Sequence, residues 1–201
     1  KAILLDCESL EAKQVTLNLN GHSLLLVNSN VKHSLAESAY NDRRNTCEKV
    51  AIKLKVQSLR QANLLNLNTI KDVLTDDEYQ KALYVFQENK RVLNAYEAIL
   101  QNDLLKLGDL LYDSHKGLKN QYKVSCKELD FLVEKAKKSN AVIGARMMGG
   151  GFGGCTINIV KNHFLENFKK DITKLYSQKF NIKCSFYSVK LSQGTRLLSI
   201  K

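Results

Sequence analysis

An α+β fold is the class that the sequence predicts, with a mostly antiparallel sheet covered by helices on one face. Strand patterns lie at both ends of the chain and a block of helical patterns lies between them, which is typical of this class. Residues 141–160 combine an apolar run, clustered glycines and a run of β-branched residues, which predicts strand, tight loop and strand. At 201 residues the chain can bury a substantial core, in one domain or two closely packed ones.

The amino-terminal segment is predicted to form strands. Residues 2–5 are apolar, and residues 14–19 alternate with period two. The turn dipeptide Asn20-Gly21 and another strand pattern at residues 23–28 follow, so we expect a hairpin. The chain begins within a strand pattern and without methionine, which suggests that it was cut from a longer protein.

Helical spacing dominates the middle of the chain. It predicts a helix over residues 35–56, a polar connection over 57–68 and a long helix over 76–100, which begins at the acidic start signal of Thr75. A second helix over 103–117 should lie antiparallel to the long one. Its leucines at core spacing are Leu104, Leu105, Leu107, Leu110 and Leu111.

The remaining elements are predicted from caps and periodicity. Ser125 is expected to cap the next helix, with Glu128 completing a capping box. An amphipathic helix is expected over residues 162–178, and closing strands over 183–189 and 196–200.

The chain is strongly basic, with 31 Lys and Arg against 20 Asp and Glu and a net charge of +11. Such an excess can attract nucleic acid or an anionic membrane. The lysines are scattered along amphipathic patterns, however, and no basic block is interleaved with aromatic residues. A solvated, lysine-rich surface is therefore favoured over a nucleic-acid site, and no apolar run is long enough to span a membrane.

The five cysteines are widely spaced and include no CxxC pair. This usage indicates reduced thiols in the cytosol, so we expect a cytoplasmic protein with neither a zinc site nor a disulfide framework. No other metal site is predicted in the chain.

Six of the chain's ten glycines fall in residues 144–154, which makes this loop the candidate functional element. So dense a cluster indicates positive backbone φ or an approach too close for a Cβ. Successive bare N–H groups can form a concave anion site, so a phosphate is the first candidate ligand. A mobile hairpin or a bulged turn would explain the glycines equally well. The loop lacks GxxxxGK[ST] and is not a Walker-type phosphate loop.

Three stretches resemble one known family. GARMMGGGFGGCTINIV, residues 144–160, resembles the third signature motif of the galactokinase branch of the GHMP kinases. Two further segments of that branch are similar to LLLVNSNVKHSLAESAYNDRRNTCEKVA, residues 24–51, and SHKGLKNQYKVSCKELDFLV, residues 114–133. The three stretches follow one another in the same order as in the family, and the resemblance covers nearly the whole chain. It implies that residues 1–201 form a GHMP kinase carboxyl-terminal domain, with residues 1–30 as strands continuing from an amino-terminal catalytic domain.

The resemblance also implies an activity. Galactokinases transfer the γ-phosphoryl group of ATP to the 1-hydroxyl of galactose, with magnesium. The family's catalytic aspartate and arginine and its serine-rich phosphate loop lie upstream of the matched region, and residues 1–201 hold no equivalent. This chain would then contain no catalytic residue and be inactive alone. Its partners would be galactose, ATP and its own amino-terminal domain, which would bind most of the ATP and Mg²⁺, with no role for nucleic acid or membranes.

Positions matched to the family's motifs imply the binding residues. Tyr40 corresponds to a tyrosine that contacts galactose. Lys32 and Ser34 correspond to a nucleotide-side pair in which arginine usually stands for the lysine, so a phosphate contact would be less directional. The glycines that would close over the sugar and phosphates are Gly149, Gly150 and Gly151.

Other positions are expected to have structural roles. Phe152 should pack the loop, and Arg146 should form an ion pair. Arg43 and Arg44 could clamp a phosphate or bridge acidic residues on a neighbouring element, and the bridging role is favoured. His33 is expected to cap or hydrogen-bond rather than to catalyse.

Three other functions remain open at this point. An N-acetylhexosamine kinase of the same branch would phosphorylate N-acetylgalactosamine. A non-catalytic galactokinase-like sensor would bind sugar and ATP and signal through a protein partner. A stand-alone basic domain would bind nucleic acid at low salt.

Overall fold

The computed structural model describes residues 1–31 and 36–192, with the backbone alone for residues 36–39. Its strands are β1 (Ala2–Leu5), β2 (Ala12–Val15), β3 (His22–Asn28), β4 (Val142–Met147), β5 (Cys155–Lys161) and β6 (Ser185–Val189). Its α-helices are α1 (Ala36–Lys53), α2 (Leu64–Thr69), α3 (Asp76–Leu100), α4 (Leu104–Asn120), α5 (Lys127–Lys137) and α6 (Leu165–Phe180). None of these helices is long and apolar enough to cross a membrane.

A four-stranded antiparallel sheet in the order β4-β5-β3-β6 forms the centre of the fold, and β1 pairs with β2 in a separate antiparallel ribbon. The α+β prediction is confirmed. The expectation of helices on one face alone is wrong, because neighbouring residues of β3 point to opposite faces. Leu24 packs with residues of α3 and α4, whereas Leu25 packs with residues of α5 and α6. Helices therefore cover both faces of the sheet.

Strands β4 and β5 form the predicted strand–loop–strand unit around the glycines. Their register pairs Met147 with Thr156 and Arg146 with Ile157. β-Branched residues favour the extended conformation of β5, because they pack well on a pleated surface. Residues 148–154 are thereby left as a loop at one end of the sheet.

The predicted hairpin of residues 14–19 and 23–28 is wrong. Strand β2 pairs with β1, while β3 lies between β5 and β6. A turn does occur at Asn20-Gly21, but Leu17 and Leu19 before it pack against the cluster of α3 and α4 and belong to no strand. Burial of these two leucines outweighs the local tendency to pair.

Details of the helices also differ from the prediction. The connection over residues 57–68 contains a 3₁₀ turn and α2. Ser125 does not cap α5, because its hydroxyl donates to Asp130 Oδ1 at 2.6 Å, and Cys126 takes the cap position without a side-chain hydrogen bond. Leu105 is 69% exposed and lies outside the core.

Helix α3 begins where its start signal predicts. Thr75 Oγ1 accepts the Glu78 N–H at 3.2 Å, and Glu78 Oε2 accepts the Thr75 N–H at 3.0 Å, a complete capping box. Glu78 also accepts from Lys49 at 2.8 Å and lies 3.5 Å from Lys53, both on α1. The start of α3 is thereby tied to α1.

Helix α4 lies directly against β4 at two glycines. A Cβ on Gly108 would lie 2.0 Å from the carbonyl oxygen of Ile143, and a Cβ on Gly144 would lie 2.3 Å from Gly108 Cα. Both distances are far inside van der Waals contact. Neither position can carry a side chain unless the helix moves away from the strand.

Gly108→Ala is expected to destabilise the protein by about 1–3 kcal/mol, the usual cost of overpacking. In an unobstructed helix interior, replacing glycine by alanine stabilises a protein by about 0.5–1 kcal/mol. The sign of the change in the free energy of unfolding therefore tests whether Gly108 lies in close contact with β4. Denaturant unfolding followed by circular dichroism measures the difference. Gly150→Ala is the matched control, because no atom of the described part of the chain beyond its sequence neighbours lies within 4 Å of its Cβ position and its φ is not positive. A Gly108→Ala variant as stable as this control would contradict the packing.

The pH dependence of stability should include a contribution from Glu78. Hydrogen bonds from Lys49 and from the Thr75 N–H lower its pKa from 4.5 to about 2. A carboxyl whose pKa falls on folding stabilises the protein above pH 4.5, and this contribution is lost as the pH falls toward 2. Glu78→Gln should therefore cost about 0.5–1 kcal/mol at neutral pH and show a smaller loss of stability on acidification.

Chemical denaturation at a series of pH values measures this effect. Glu97→Gln, at an exposed position near the end of α3, is the control and should keep the acid profile of the wild type. If Glu78→Gln also kept that profile, the ion pairs of Glu78 would not contribute to stability.

Candidate functional site

The glycine loop, residues 148–154, has a backbone that few sequences adopt. Positive φ occurs at Gly149 (77°), Gly151 (89°), Phe152 (60°), Gly153 (136°) and Gly154 (72°). Glycine reaches this region at little cost because it has no Cβ. The expectation of positive φ is confirmed, and Phe152 is the one non-glycine residue of the loop that shares it.

Hydrogen bonds hold the loop at both ends and near its middle. They run from Met148 N–H to Cys155 O at 3.0 Å, from Phe152 N–H to Val124 O at 2.7 Å, and from Ser29 N–H to Gly154 O at 2.8 Å. The Ser29 hydroxyl also donates to Gly154 O, at 2.9 Å. The loop is thereby tied to β5, to the residue after β3 and to the connector, residues 121–126, between α4 and α5.

Between these anchors, residues 149–151 present bare backbone. Among the described residues, apart from the adjacent residues of the loop, no atom lies within 4 Å of the position that a Cβ would take on Gly149 or Gly150, and both glycines are exposed. Gly151 is closer to the protein, because a Cβ there would lie 2.0 Å from Val124 O. Open space in front of exposed backbone is what an approaching anion or hydroxyl group requires. The anchors disfavour the alternative of a mobile hairpin.

Helix α1 carries Tyr40 one turn before the arginine that contacts the connector and the loop. Tyr40 is 65% exposed near the amino end of α1. One turn later, Arg43 donates to Tyr122 O at 3.0 Å and to Lys123 O at 2.5 Å, and its guanidinium carbon lies 5.7 Å from the centre of the Phe152 ring. Residues three apart share one face of a helix, so Tyr40 lies on the face of α1 that Arg43 fixes beside the loop.

A structural role was favoured for the arginine pair, but the predicted bridge to acidic residues on a neighbouring element is wrong for the described contacts: both acidic partners lie on α1 itself, and Arg43 reaches the connector through carbonyl groups. Arg44 pairs with Glu48 at 2.8 Å, and Arg43 pairs with Asp42 at 3.1 Å. Phe152 has its predicted role, because it packs against a buried cluster of residues from α3, α4, α5, the connector and β4.

A buried lysine connects α1 to α3 beneath this region. The amino group of Lys81 donates to Asp42 Oδ2 at 2.8 Å and lies 2.6 Å from Asp77 Oδ2. Asp77 accepts in turn from Lys123 of the connector at 2.5 Å. Burial opposes the charge of Lys81, but its two carboxylate partners outweigh burial and raise its pKa. The Lys81 hydrogen bond in turn lowers the pKa of Asp42.

A second polar cluster holds the strand that enters the loop. Glu88 of α3 accepts from Ser114 of α4 at 2.5 Å and from Arg146 of β4 at 3.2 Å, and it also pairs with Arg91. Arg146 Nε donates to Met147 O at 2.8 Å. The predicted ion pair of Arg146 is confirmed, and it fixes the carboxyl end of β4.

One contact beside this cluster has no signal in the sequence. His115, 5% exposed on α4, accepts the Met147 N–H at Nδ1 over 3.3 Å. Its Nε2 lies 3.3 Å from Asp130 Oδ1 on α5. Asp130 also contacts Lys119 at 3.1 Å and accepts from Ser125 at 2.6 Å. On sequence alone His115 has the spacing of a core residue, and only the fold brings it to the end of β4.

Some predicted site residues lie outside the described residues. Lys32, His33 and Ser34 are among them, so their roles stay predictions. Within residues 1–31 and 36–192, no group of three or more His, Cys, Asp and Glu side chains could hold a metal ion. Of the predicted binding residues, the structure describes Tyr40, exposed one helical turn from Arg43, and the three glycines at 149–151, and their binding roles stay predictions.

Comparison with known proteins gives matches to one family. Residues 95–177 match the family model described as GHMP kinases C terminal. Galactokinases of Thermotoga neapolitana and Clostridium beijerinckii are each 40% identical to the chain, over 195 and 202 residues respectively. Each match covers 97% of this chain, but only 55% of the first relative and 51% of the second. The chain thus spans about half the length of the curated relatives that it matches.

A solved structure agrees with these matches. The crystal structure of Lactococcus lactis galactokinase complexed with galactose has a TM-score of 0.86 to this fold at 33% identity, and the match covers 92% of this chain and 49% of that chain. The family model, the sequence relatives and the solved structure therefore agree on one relationship. Residues 95–177 contain a GHMP kinase carboxyl-terminal domain, and the chain as a whole is similar to about half of a galactokinase.

Proposed function

We propose that this chain supplies part of an enzyme that transfers the γ-phosphoryl group of ATP to the 1-hydroxyl of galactose. The observation that carries the proposal is the anchored backbone of the glycine loop, open at Gly149 and Gly150, together with the exposed Tyr40, which lies one helical turn from the arginine that contacts Phe152 of the loop. Positioning a sugar for phosphoryl transfer requires contact surfaces and hydrogen-bond donors that are held in place. The galactose bound in the Lactococcus lactis relative supports the choice of sugar.

The glycine loop would act through its main chain. During phosphoryl transfer, charge is spread over the transferred group, and the protein contributes mainly positioning and electrostatic stabilisation. The N–H groups of Gly149, Gly150 and Gly151 would face that charge or the sugar hydroxyls, and a side chain at these positions would block the approach. Because the loop is anchored on both sides, these donors need little reorganisation.

Tyr40 would bind the sugar. Its ring offers an apolar face, its hydroxyl can donate or accept a hydrogen bond, and its exposure leaves both accessible. On the nucleotide side, we infer roles for Lys32 and Ser34 from the family pattern. Lys32 would meet a phosphate as a point charge, without the two-pronged geometry of arginine.

The remaining machinery would lie outside this chain. We place no catalytic residue within residues 1–201, and the described residues offer no cluster of ligands for Mg²⁺. The catalytic aspartate and arginine, the serine-rich loop and most contacts to ATP and Mg²⁺ would belong to a preceding domain that residues 1–30 continue. The chain alone would be inactive. The intact protein would be cytoplasmic, without a nucleic-acid or membrane partner.

An assay of the intact protein with ATP, Mg²⁺ and galactose tests this function. We expect galactose 1-phosphate, detected by ³¹P NMR, and no product from residues 1–201 alone. If the enzyme turned over N-acetylgalactosamine in preference to galactose, N-acetylgalactosamine would be assigned as the substrate in place of galactose. If the protein bound sugar and ATP without turnover, the result would contradict the kinase function and favour the non-catalytic sensor. If it bound neither sugar nor ATP but bound nucleic acid in a salt-dependent way, the result would favour the basic nucleic-acid-binding domain.

Tyr40→Ala tests the sugar site separately. In the intact protein it should raise KM for galactose about tenfold or more, because it removes a ring contact and a hydrogen bond. The KM for ATP and the unfolding midpoint should change little, since the side chain is exposed. Tyr187→Ala, which removes a tyrosine 52% exposed on β6, is the matched control. Steady-state kinetics that leave the KM for galactose unchanged would remove Tyr40 from the site.

A further inference from the structure

Met147, the last residue of β4, is held at both of its backbone polar atoms. Its carbonyl oxygen accepts from Arg146 Nε at 2.8 Å, and its N–H donates to His115 Nδ1 at 3.3 Å. Met147 is fully buried, and its Cε lies 3.0 Å from the position that a Cβ would take on Gly151. A shift of Met147 would therefore reach the open part of the loop.

The bond to Met147 fixes the state of the His115 ring. An N–H donor that faces Nδ1 requires a lone pair there, so the proton of the neutral ring lies on Nε2. Nε2 faces Asp130 Oδ1 at 3.3 Å, without a well-aligned hydrogen bond among the described residues. Burial alone would raise the pKa of Asp130, but its contacts with His115, Ser125 and Lys119 lower it. The Nε2–H group therefore faces a carboxylate.

Two consecutive residues of α4 support Met147 from different sides. The Ser114 hydroxyl donates to Glu88, which also accepts a hydrogen bond from Arg146. Arg146 Nε in turn donates to the Met147 carbonyl oxygen. His115 bonds the Met147 N–H directly. The direction in which the chain leaves β4 and enters the glycine loop is thus set by α4.

We propose that His115 is a positioning residue for the ligand site: through Nδ1 it holds the Met147 N–H and thereby sets the position of residues 149–151. The effect on ligand binding rests on the proposed function, whereas the effect on loop position does not. Loss of the Nδ1 acceptor leaves a buried N–H group unsatisfied, which favours conformations in which Met147 and the loop move. His115 lies in the core and acts through Met147 rather than on a ligand.

Two variants separate the two ring nitrogens. His115→Asn keeps an acceptor near the position of Nδ1, whereas His115→Gln keeps a donor near the position of Nε2. In the intact protein, His115→Gln should speed backbone hydrogen exchange in residues 145–155 about tenfold and raise KM for galactose by a similar factor, with a smaller change in kcat. His115→Asn should stay within about twofold of the wild type in both measurements.

Hydrogen exchange in α3 and denaturant unfolding report the global stability of each variant. Lys116→Ala, at the exposed neighbouring position on α4, is the control and should leave loop exchange unchanged. Equal loop exchange in the two His115 variants, or wild-type exchange in His115→Gln, would overturn the proposal. If the wild type phosphorylated no sugar, the proposed function would fail, while loop exchange would still decide the role of His115.

Asp130→Asn provides a second test if His115→Gln does not fold. It removes the charge that faces Nε2 but keeps the ring and its Nδ1 acceptor. Loop exchange should then rise by a smaller factor, about threefold. Because Asp130→Asn keeps the Nδ1 acceptor, a rise in loop exchange as large as the one expected for His115→Gln would overturn the proposal.

Discussion

The backbone contact between Gly108 of α4 and residues 143–144 of β4 is the constraint on which the site depends. It brings the helix closer to the strand than a helix covered by side chains could lie. About two turns further along α4, Ser114 and His115 consequently stand beside the end of β4. The bond between His115 and Met147 reaches the strand because the helix lies so close, whereas Ser114 acts on the strand through Glu88 of α3. The geometry of the glycine loop thus begins at a packing contact remote from it in sequence.

Charged side chains near the loop are used mainly to hold protein elements together. Lys81 is enclosed by two carboxylates, Arg146 bonds Glu88, and Arg43 bonds the connector. None of these three cations stands alone, and the charge of each is largely offset or committed to carbonyl groups. The net charge of +11 therefore describes the outer surface of the protein better than its candidate site. Apart from the Tyr40 hydroxyl, the donors that we propose for a ligand in the described part are backbone N–H groups.

Local patterns predicted the local elements well. The glycines and β-branched residues of residues 144–160 identified the strand–loop–strand unit, and Thr75 with Glu78 identified the start of α3. The pairing of strands could not be predicted, because a period-two pattern indicates that a segment forms a strand but not which other strand it pairs with. Ser125 was assigned to a cap because Glu128 has the required spacing, but Asp130 competes for the same hydroxyl. The competition appears only in three dimensions.

The candidate site was predicted unevenly for a similar reason. Tyr40 and the three glycines were predicted from motifs, and the structure shows Tyr40 exposed on α1 and the glycines in an anchored loop. The contact between His115 and Met147 joins two separate stretches of the chain, and neither stretch indicates that these two side chains meet. A buried histidine on a helix resembles any other core residue until its neighbours are known. Such supporting residues need the fold before they can be identified.

The anchored loop has a consequence for the thermodynamics of ligand binding. Fixing one residue's backbone costs about 1–2 kcal/mol of conformational entropy, so a loop that became ordered only around a ligand would weaken binding substantially. Here the bonds at Met148, Phe152 and Gly154 order the loop when the chain folds. Binding would then restrict little further motion in this half of the site. Affinity there would depend on how well a ligand fits a surface that already exists.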